Sequence, residues 1–415
     1  MLTKLILENW KSYEKAELFI DQLSVLVGTN ASGKSNALDA LLLLQRLAQG
    51  SMIMAALQGD STQQAVRGGI EWAARRPETA FTVGAVCRAD DFTDYEYRVK
   101  IEARGGRCDL VSEQLVRVKY RANKSGERGS KSGEIKLFRT DTCSPADPTI
   151  TARLYNEKQG TPRPLSRAHS VLSQIFGQKL RQEIQDGVAN VLGTLKDIFI
   201  LDPIPSHMRN YTALSDQLEP DANNIAGVLA ALPEKQRNRI ESVLTRYGSR
   251  LPERDIKRIY TEKVGKFGSD AMLYCEELWG AKGQVSTVDA RGMSDGTLRF
   301  LAIMTALLTR PSGSLLVIEE VDNGLHPSRS ALLLDMLKDI GISRNVDVLV
   351  TTHNPALLDA MGNEMVPFIT VVNRDLNKGF STLTLLEEME DLPKLLSYGS
   401  IGRISSKGLL EKKKN

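Results

Sequence analysis

The sequence has little of what marks a secreted, membrane-spanning or polycationic chain. Its 415 residues include four cysteines, Cys87, Cys108, Cys143 and Cys275, far apart and with no pair at metal-ligand spacing. That excludes a disulfide framework and a zinc motif, and the thiols read as reduced and structural. No long hydrophobic run occurs; the longest, around Phe300–Leu308, is about half a membrane span. The opening MLTKLILENWKSYEKAELF carries a charge every few positions and lacks the apolar centre of a signal peptide. Charge of one sign is missing too: 54 basic residues face 51 acidic ones, for a net charge of +3. Nucleic-acid contact would therefore have to rest on a local patch. There is no internal repeat. What remains, 41% apolar and 25% charged residues, is the composition of a soluble globular protein, expected in the cytoplasm. The length suits two or three packed units, or one large α/β domain with an insertion.

Residues 1–27 contain two short strands, KLILEN and LSVLV, on either side of a polar bend. A helix is expected from about Lys34 to Ala48, where Leu38, Leu41 and Leu42 recur at helical spacing. Leu43, Leu44 and Leu47 extend its apolar surface most of the way round, which predicts a well-buried helix. AFTVGAVCRAD, YEYRVKIEAR and LVRVKY alternate as strands. RANKSGERGSKSGEIK, rich in Gly, Ser and Lys, predicts a long hairpin tip or mobile loop. Residues 165–250 read as helical pieces broken by Pro203, Pro205, Pro220 and Pro233. From about 284 strand and helix alternate again: GSLLVIEE, a helix over Ser328–Ile340, then VDVLVTTH. That order implies parallel strands joined by a right-handed crossover.

Gly28, Gly33, Lys34 and Ser35 satisfy G-x-x-x-x-G-K-[ST], between a buried strand and a leucine-rich helix. The spacing lets consecutive backbone N–H groups curl around a phosphate while Lys34 reaches the β/γ oxygens and Ser35 ligates Mg²⁺. The helix that follows adds its positive N-terminal end. SLLVIEEVDNGLHP delivers Glu319 and Glu320 to the carboxyl end of an apolar strand, where an open parallel sheet places its ligand. One carboxylate suits Mg²⁺ and the next suits the attacking water. His353 closes the following strand and is either structural or a γ-phosphate sensor. Ser294, Asp295 and Gly296 open a helix; Ser294 reads as an N-cap, and the helix end doubles as an anion site for a second subunit's nucleotide.

In order, these segments resemble a soluble ABC-type ATPase, of the branch that includes SMC proteins, RecF-like repair ATPases and the ATPase half of OLD-family nucleases. The same branch supplies AAA-type ATPases of anti-phage defence systems. ENWKSY resembles the family's nFkSf, GTNASGKSN its Walker A, MSDGTLRFL its signature, VIEEVDNGLHP its Walker B and D-loop, and TTHNP its switch-histidine loop. The resemblance implies a P-loop NTPase fold, an ABC-type head with a mixed sheet flanked by helices and an inserted strand and helical lobe. The head would comprise 1–105 and 284–400, the lobe 106–283, and a flexible tail 401–415. ATP and Mg²⁺ would be bound by Lys11, Ser12, Gly28, Asn30, Ala31, Ser32, Gly33, Lys34, Ser35 and Asn36, with the metal on Ser35 and Glu319. Two protomers would sandwich two ATP molecules, Lys34 and Ser35 of one facing Ser294, Asp295 and Gly296 of the other. Glu320 would be the catalytic base, His353 the switch residue, and Asp322 and His326 would belong to the D-loop.

Three departures stand out. Glu319 replaces the family's usual Asp, which moves the metal-side carboxylate by about a bond length. Asp295 stands where transporter relatives carry glycine, and its carboxylate must point away from an incoming phosphate. The Q-loop glutamine has three candidates, Gln63, Gln64 and Gln114. The resemblance supports an ATP-driven sensor in a defence or nucleic-acid-processing system. Since only about 60 residues follow His353, too few for a TOPRIM domain, a TOPRIM or HNH nuclease effector is expected on another chain. The alternative is a RecF-like clamp on duplex DNA. It draws on residues 117–139, with eight Lys/Arg against two Glu and with Tyr120 and Phe138 interleaved; a solvated hairpin reads the same segment equally well. A transporter subunit fits less well, for want of a clear Q-loop and an LSGGQ-like signature.

Overall fold

The computed structural model describes all residues except 62, 156–158, 252–254, 280–283, 325, 376–378, 390–391 and 411–415. The chain opens with β1 (Leu2–Trp10), β2 (Tyr13–Phe19) and β3 (Leu23–Val27), then α1 (Lys34–Ala48) and α2 (Ile53–Gln58). Next come β4 (Ala80–Asp90), β5 (Thr93–Arg104), β6 (Arg107–Ala122), β7 (Arg128–Thr140), β8 (Thr149–Leu154) and β9 (Thr161–Ser166). α3 (Val171–Ile175) and α4 (Gln182–Lys196) lead to β10 (Ile198–Leu201), β11 (Thr212–Ala213), α5 (Ile225–Ala231) and α6 (Glu234–Gly248). β12 (Asp255–Val264), β13 (Asp270–Trp279) and β14 (Gln284–Asp289) precede α7 (Asp295–Thr309), β15 (Leu315–Ile318), α8 (Ser330–Arg344) and β16 (Asp347–Thr352). α9 (Pro355–Met361), β17 (Ile369–Arg374), β18 (Ser381–Leu385), α10 (Leu392–Leu396) and α11 (Ile401–Ser406) complete it.

Two compact units share these elements. One comprises Met1–Asp21, Gly28–Ile198 and Thr370–Thr384; the other comprises Gln22–Val27, Phe199–Ile369 and Leu385–Asn415. The main division falls at 198/199.

In the first unit the strands run in the order β17-β18-β2-β1-β4-β5-β6-β7-β8-β9. From β2 through β9 the neighbours are antiparallel. One face of such a sheet can be left to water, which explains the alternating sequences of β4 and β5. Leu38, Leu41 and Leu44 of α1 and Ile184, Val188, Val191 and Leu195 of α4 are buried, as the leucine spacing of α1 predicts.

The polar bend expected between the first two strands is instead β2. Ala16 and Leu18 turn inward while Glu14, Lys15 and Phe19 stay exposed. Ala, Glu and Lys are weak strand formers, so the pairing with β1 rather than local preference makes this strand. The Gly/Ser/Lys segment forms the β6–β7 hairpin, whose register shifts three times.

In the second unit β15, β16 and β3 pair in parallel, and β10 lies beyond β15. All three parallel strands are buried throughout, which is why they read as largely apolar runs. Every residue of α7 from Gly296 to Leu308 is also buried. A smaller sheet has the order β11-β13-β12, with β14 on β13. The expected helix over Ser328–Ile340 becomes a single 3₁₀ turn, Pro327–Arg329, followed by α8. Part of the expected flexible tail is α11. Its Ile401 and Ile404 are buried and its Gly402 N–H donates to Asp359 of α9 at 2.7 Å; 411–415 lie outside the described residues.

Candidate nucleotide site

The phosphate loop lies in the first unit and depends on two glycines. A Cβ on Gly28 would fall 2.4 Å from the Val372 carbonyl oxygen and 2.8 Å from Ser32 Oγ. Gly33 has φ +120, where a side chain would also meet Ser381 Oγ at 2.6 Å. Thr29, Asn30 and Ala31 form the exposed tip, with Ala31 at φ 65. The Lys34 ammonium donates to the Gly28 and Thr29 carbonyls at 2.5 and 3.0 Å. Ser32 Oγ is buried and has no hydrogen-bond partner. α1 starts directly after Gly33, with no capping side chain and no acidic residue in its first turn, which keeps its positive end open to an anion.

A hydroxyl relay braces the loop. Ser381 Oγ lies 2.5 Å from the Ser32 carbonyl oxygen and 2.9 Å from Ser12 Oγ. Its single proton goes to the carbonyl, which only accepts, so Ser12 donates to Ser381. Asn36 Nδ2 in turn donates to Ser12 at 2.7 Å. Tyr13 OH donates to the Gly33 carbonyl at 2.9 Å, and burial raises its pKa. Trp10 Nε1 donates to the Asn36 carbonyl at 2.7 Å. Ser12 thus lies beside the loop. Lys11 is held differently: its ammonium donates to Asp39 of α1 at 2.5 Å and to the Arg67 carbonyl at 2.7 Å. Burial lowers the Lys11 pKa despite this partner.

The carboxylates and the histidine lie in the second unit. Strand β15 stops at Ile318. Glu320 then takes φ 48, a left-handed conformation uncommon for a residue other than glycine. Its N–H donates to Thr351 Oγ1 at 2.8 Å, and its carbonyl accepts from Asn323 N at 2.8 Å and from Arg299 Nη1 at 3.5 Å. A backbone over-determined in this way is a mark of functional turns. The side chain stays 41% exposed, with Oε1 3.9 Å from Nδ1 of His353. Asp322 is buried and accepts from Thr352 Oγ1 at 2.6 Å. It braces β16 instead of facing out like His326, whose Nδ1 accepts from Ser328 N at 3.3 Å. β16 and β3 end level, with Thr352 opposite Val27.

Ser294 is the N-cap of α7, accepting from Thr297 N at 3.1 Å. The Asp295 carboxylate turns to Arg209, whose Nη2 donates to it at 2.5 Å. A Cβ on Gly296 would meet Arg329 Nη1 at 2.5 Å and the Gly324 carbonyl oxygen at 2.9 Å. Among the glutamines, Gln63 Nε2 donates to Ser51 Oγ at 3.4 Å, and Gln114 lies on β6 opposite Arg139. Sequence reading missed Ser381, which lies 369 positions from Ser12 in a strand with no motif. It also missed Arg209, in a stretch read only as helical pieces broken by prolines.

Among the described residues, no cluster of three or more His, Cys, Asp or Glu forms a metal cage. The orphaned Ser32 hydroxyl and the glycine-lined loop fit a bound phosphate. Among the described residues, no helix is long and apolar enough to cross a membrane.

Residues 1–77 match the family described as "AAA ATPase domain". Residues 215–359 match the one described as "AAA domain, putative AbiEii toxin, Type IV TA system". No curated protein matches the chain. Among solved structures, an SMC head bound to the C-winged helix domain of ScpA is 15% identical, with 92% of this chain and 97% of that chain covered and a TM-score of 0.52. An SMC head domain from Thermotoga maritima is 14% identical, over 92% and 98%, with a TM-score of 0.41. An SMC head with an extended coiled coil bound to the C-terminal domain of ScpA, derived from Pyrococcus furiosus, is 14% identical over 95% and 99%, with a TM-score of 0.48. At such identities the likeness to the first shows the fold, a mixed α/β P-loop head. Two AAA ATPase family models thus match parts of the chain, and its fold is similar to that of an SMC head.

Proposed function

We propose that the chain binds ATP at the loop Gly28–Asn36, hydrolyses it, and uses the bound nucleotide to join two copies head to head. The observation that carries this reading is the buried Ser32 hydroxyl, left without a partner in a loop where glycine leaves room only for main chain. Lys34 and the amides that open α1 bind the phosphates. Ser35 and Glu319 would hold Mg²⁺, whose charge would offset that of the phosphates. Glu320 takes a proton from the water that attacks the terminal phosphorus, as the bond to ADP breaks. His353, 3.9 Å from Glu320, orients that carboxylate and binds the terminal phosphate. Ser294, Asp295 and Gly296 meet the ATP of the second copy, and the exposed His326 meets the second copy itself.

The biological role we assign is that of the cytoplasmic regulatory ATPase of an anti-phage defence or nucleic-acid-processing system, with its effector, a TOPRIM or HNH nuclease, on a separate chain. The AbiEii toxin family matched by residues 215–359 supports that setting. A second reading, a RecF-like clamp on duplex DNA, draws on the β6–β7 hairpin. There Arg117 pairs with Glu183, Arg128 with Asp94 and Lys131 with Glu134. Among the described residues, Lys119, Arg121, Lys124, Lys136 and Arg139 have no ion-pair partner, which supports phosphate contact.

Two assays test these readings. The wild-type protein should release phosphate from ATP in the presence of Mg²⁺, and an inactive protein that also fails to bind ATP would refute the site. Retention of duplex DNA that weakens when Lys119 and Arg121 are changed to Glu would favour the clamp. Undiminished retention would leave the hairpin as a solvated face.

A further inference from the structure

We propose that Arg209 is a positioning residue that makes the Ser294–Gly296 turn receptive to phosphate by cancelling the charge of Asp295. This rests on the reading of that turn as the contact for a second copy's ATP. A carboxylate in the first turn stabilises a helix through its dipole, but it repels any other anion brought to the same end. Asp295 is 71% exposed, so water screens part of its charge and a partner charge must offset the rest.

That partner is built into the fold. Arg209 ends the 3₁₀ turn His207–Arg209, whose Met208 is buried, and its side chain is only 27% exposed. Nη2 donates to Asp295 Oδ1 at 2.5 Å. Nη1 lies 3.1, 2.8 and 2.8 Å from the carbonyl oxygens of Ala290, Arg291 and Met293. One guanidinium therefore neutralises the carboxylate and gathers the carbonyl dipoles of the loop that leads into α7. A planar fork serves both tasks at once, which a lysine ammonium does not. Nearby Arg291 is no substitute, because it is paired with Asp289 at 2.5 Å. The arrangement settles the departure at Asp295: its carboxylate is compensated by a residue 86 positions earlier.

The pairing makes a prediction that a purely structural brace does not. In the Glu320→Gln protein, Arg209→Ala should raise the ATP concentration needed for dimerisation by about tenfold or more. The affinity of dilute, monomeric protein for a fluorescent ATP analogue should stay within about twofold. Adding Asp295→Asn should recover most of the lost dimerisation, and Arg209→Lys should recover little. If Arg209→Ala folds poorly, Arg209→Gln keeps donors for the carbonyls and removes the charge. Unchanged dimerisation in both Arg209 variants overturns the proposal. So does failure of Asp295→Asn to rescue, which would reduce Arg209 to a loop brace. If the Glu320→Gln parent itself binds ATP without dimerising, the trans reading of the turn fails, and this proposal with it.

Discussion

Two helices of this protein begin at positions read as phosphate contacts, and they are prepared in opposite ways. α1 starts after Gly33 with no capping side chain and no acid in its first turn. Its openness comes from glycine, from close backbone packing and from neutral hydroxyls. α7 starts with a serine cap and an acid, and an arginine from elsewhere in the chain offsets that acid. A glycine-based cradle is preorganised by sterics, whereas a charge-balanced helix end depends on a partner that can be removed. The first arrangement suits a site that holds its own nucleotide. The second suits a site that meets a nucleotide only when another molecule brings it.

This contrast is open to attack, beginning with the largest effect. Glu320→Gln should slow phosphate release by about 10²–10⁴-fold, the usual contribution of a positioned base, while calorimetry shows ATP still bound. Lys34→Ala should weaken ATP binding by roughly 30–150-fold, as expected for a lost charge-assisted contact of about 2–3 kcal/mol. Ser35→Asp, which gives α1 an acid without an arginine, should weaken it at least as much; retained affinity would remove the distinction between the two helix ends. Gly33→Ala should lower unfolding stability by about 1–3 kcal/mol, through its positive φ and the clash with Ser381. Ser294→Ala should lower it by about 1 kcal/mol in denaturant titrations, and Ser294→Gly by only a few tenths.

The phosphate loop was legible because its pattern is local: α1 runs from Lys34 to Ala48 as its leucines foretell, and β4 covers AFTVGAVCRAD in full. The parallel strands were legible because burial on both faces leaves a largely apolar run. β2 was not, since its Glu, Lys and Ala disfavour a strand until β1 pairs with it. The network behind the site was not legible either. Ser381, Tyr13, Asp39 and Arg209 act through contacts that span from 20 to 369 positions, and none carries a spacing that marks it. Asp295 shows the consequence, because in sequence it is a departure from a motif and in three dimensions it is half of an ion pair.

The account's central claim is that ATP joins two copies of this chain. The most direct test is the mass in solution of the Glu320→Gln protein, with and without ATP and Mg²⁺. A monomer that becomes a dimer only when both are present is the predicted result. A protein that binds ATP yet keeps the same mass in both conditions would contradict it.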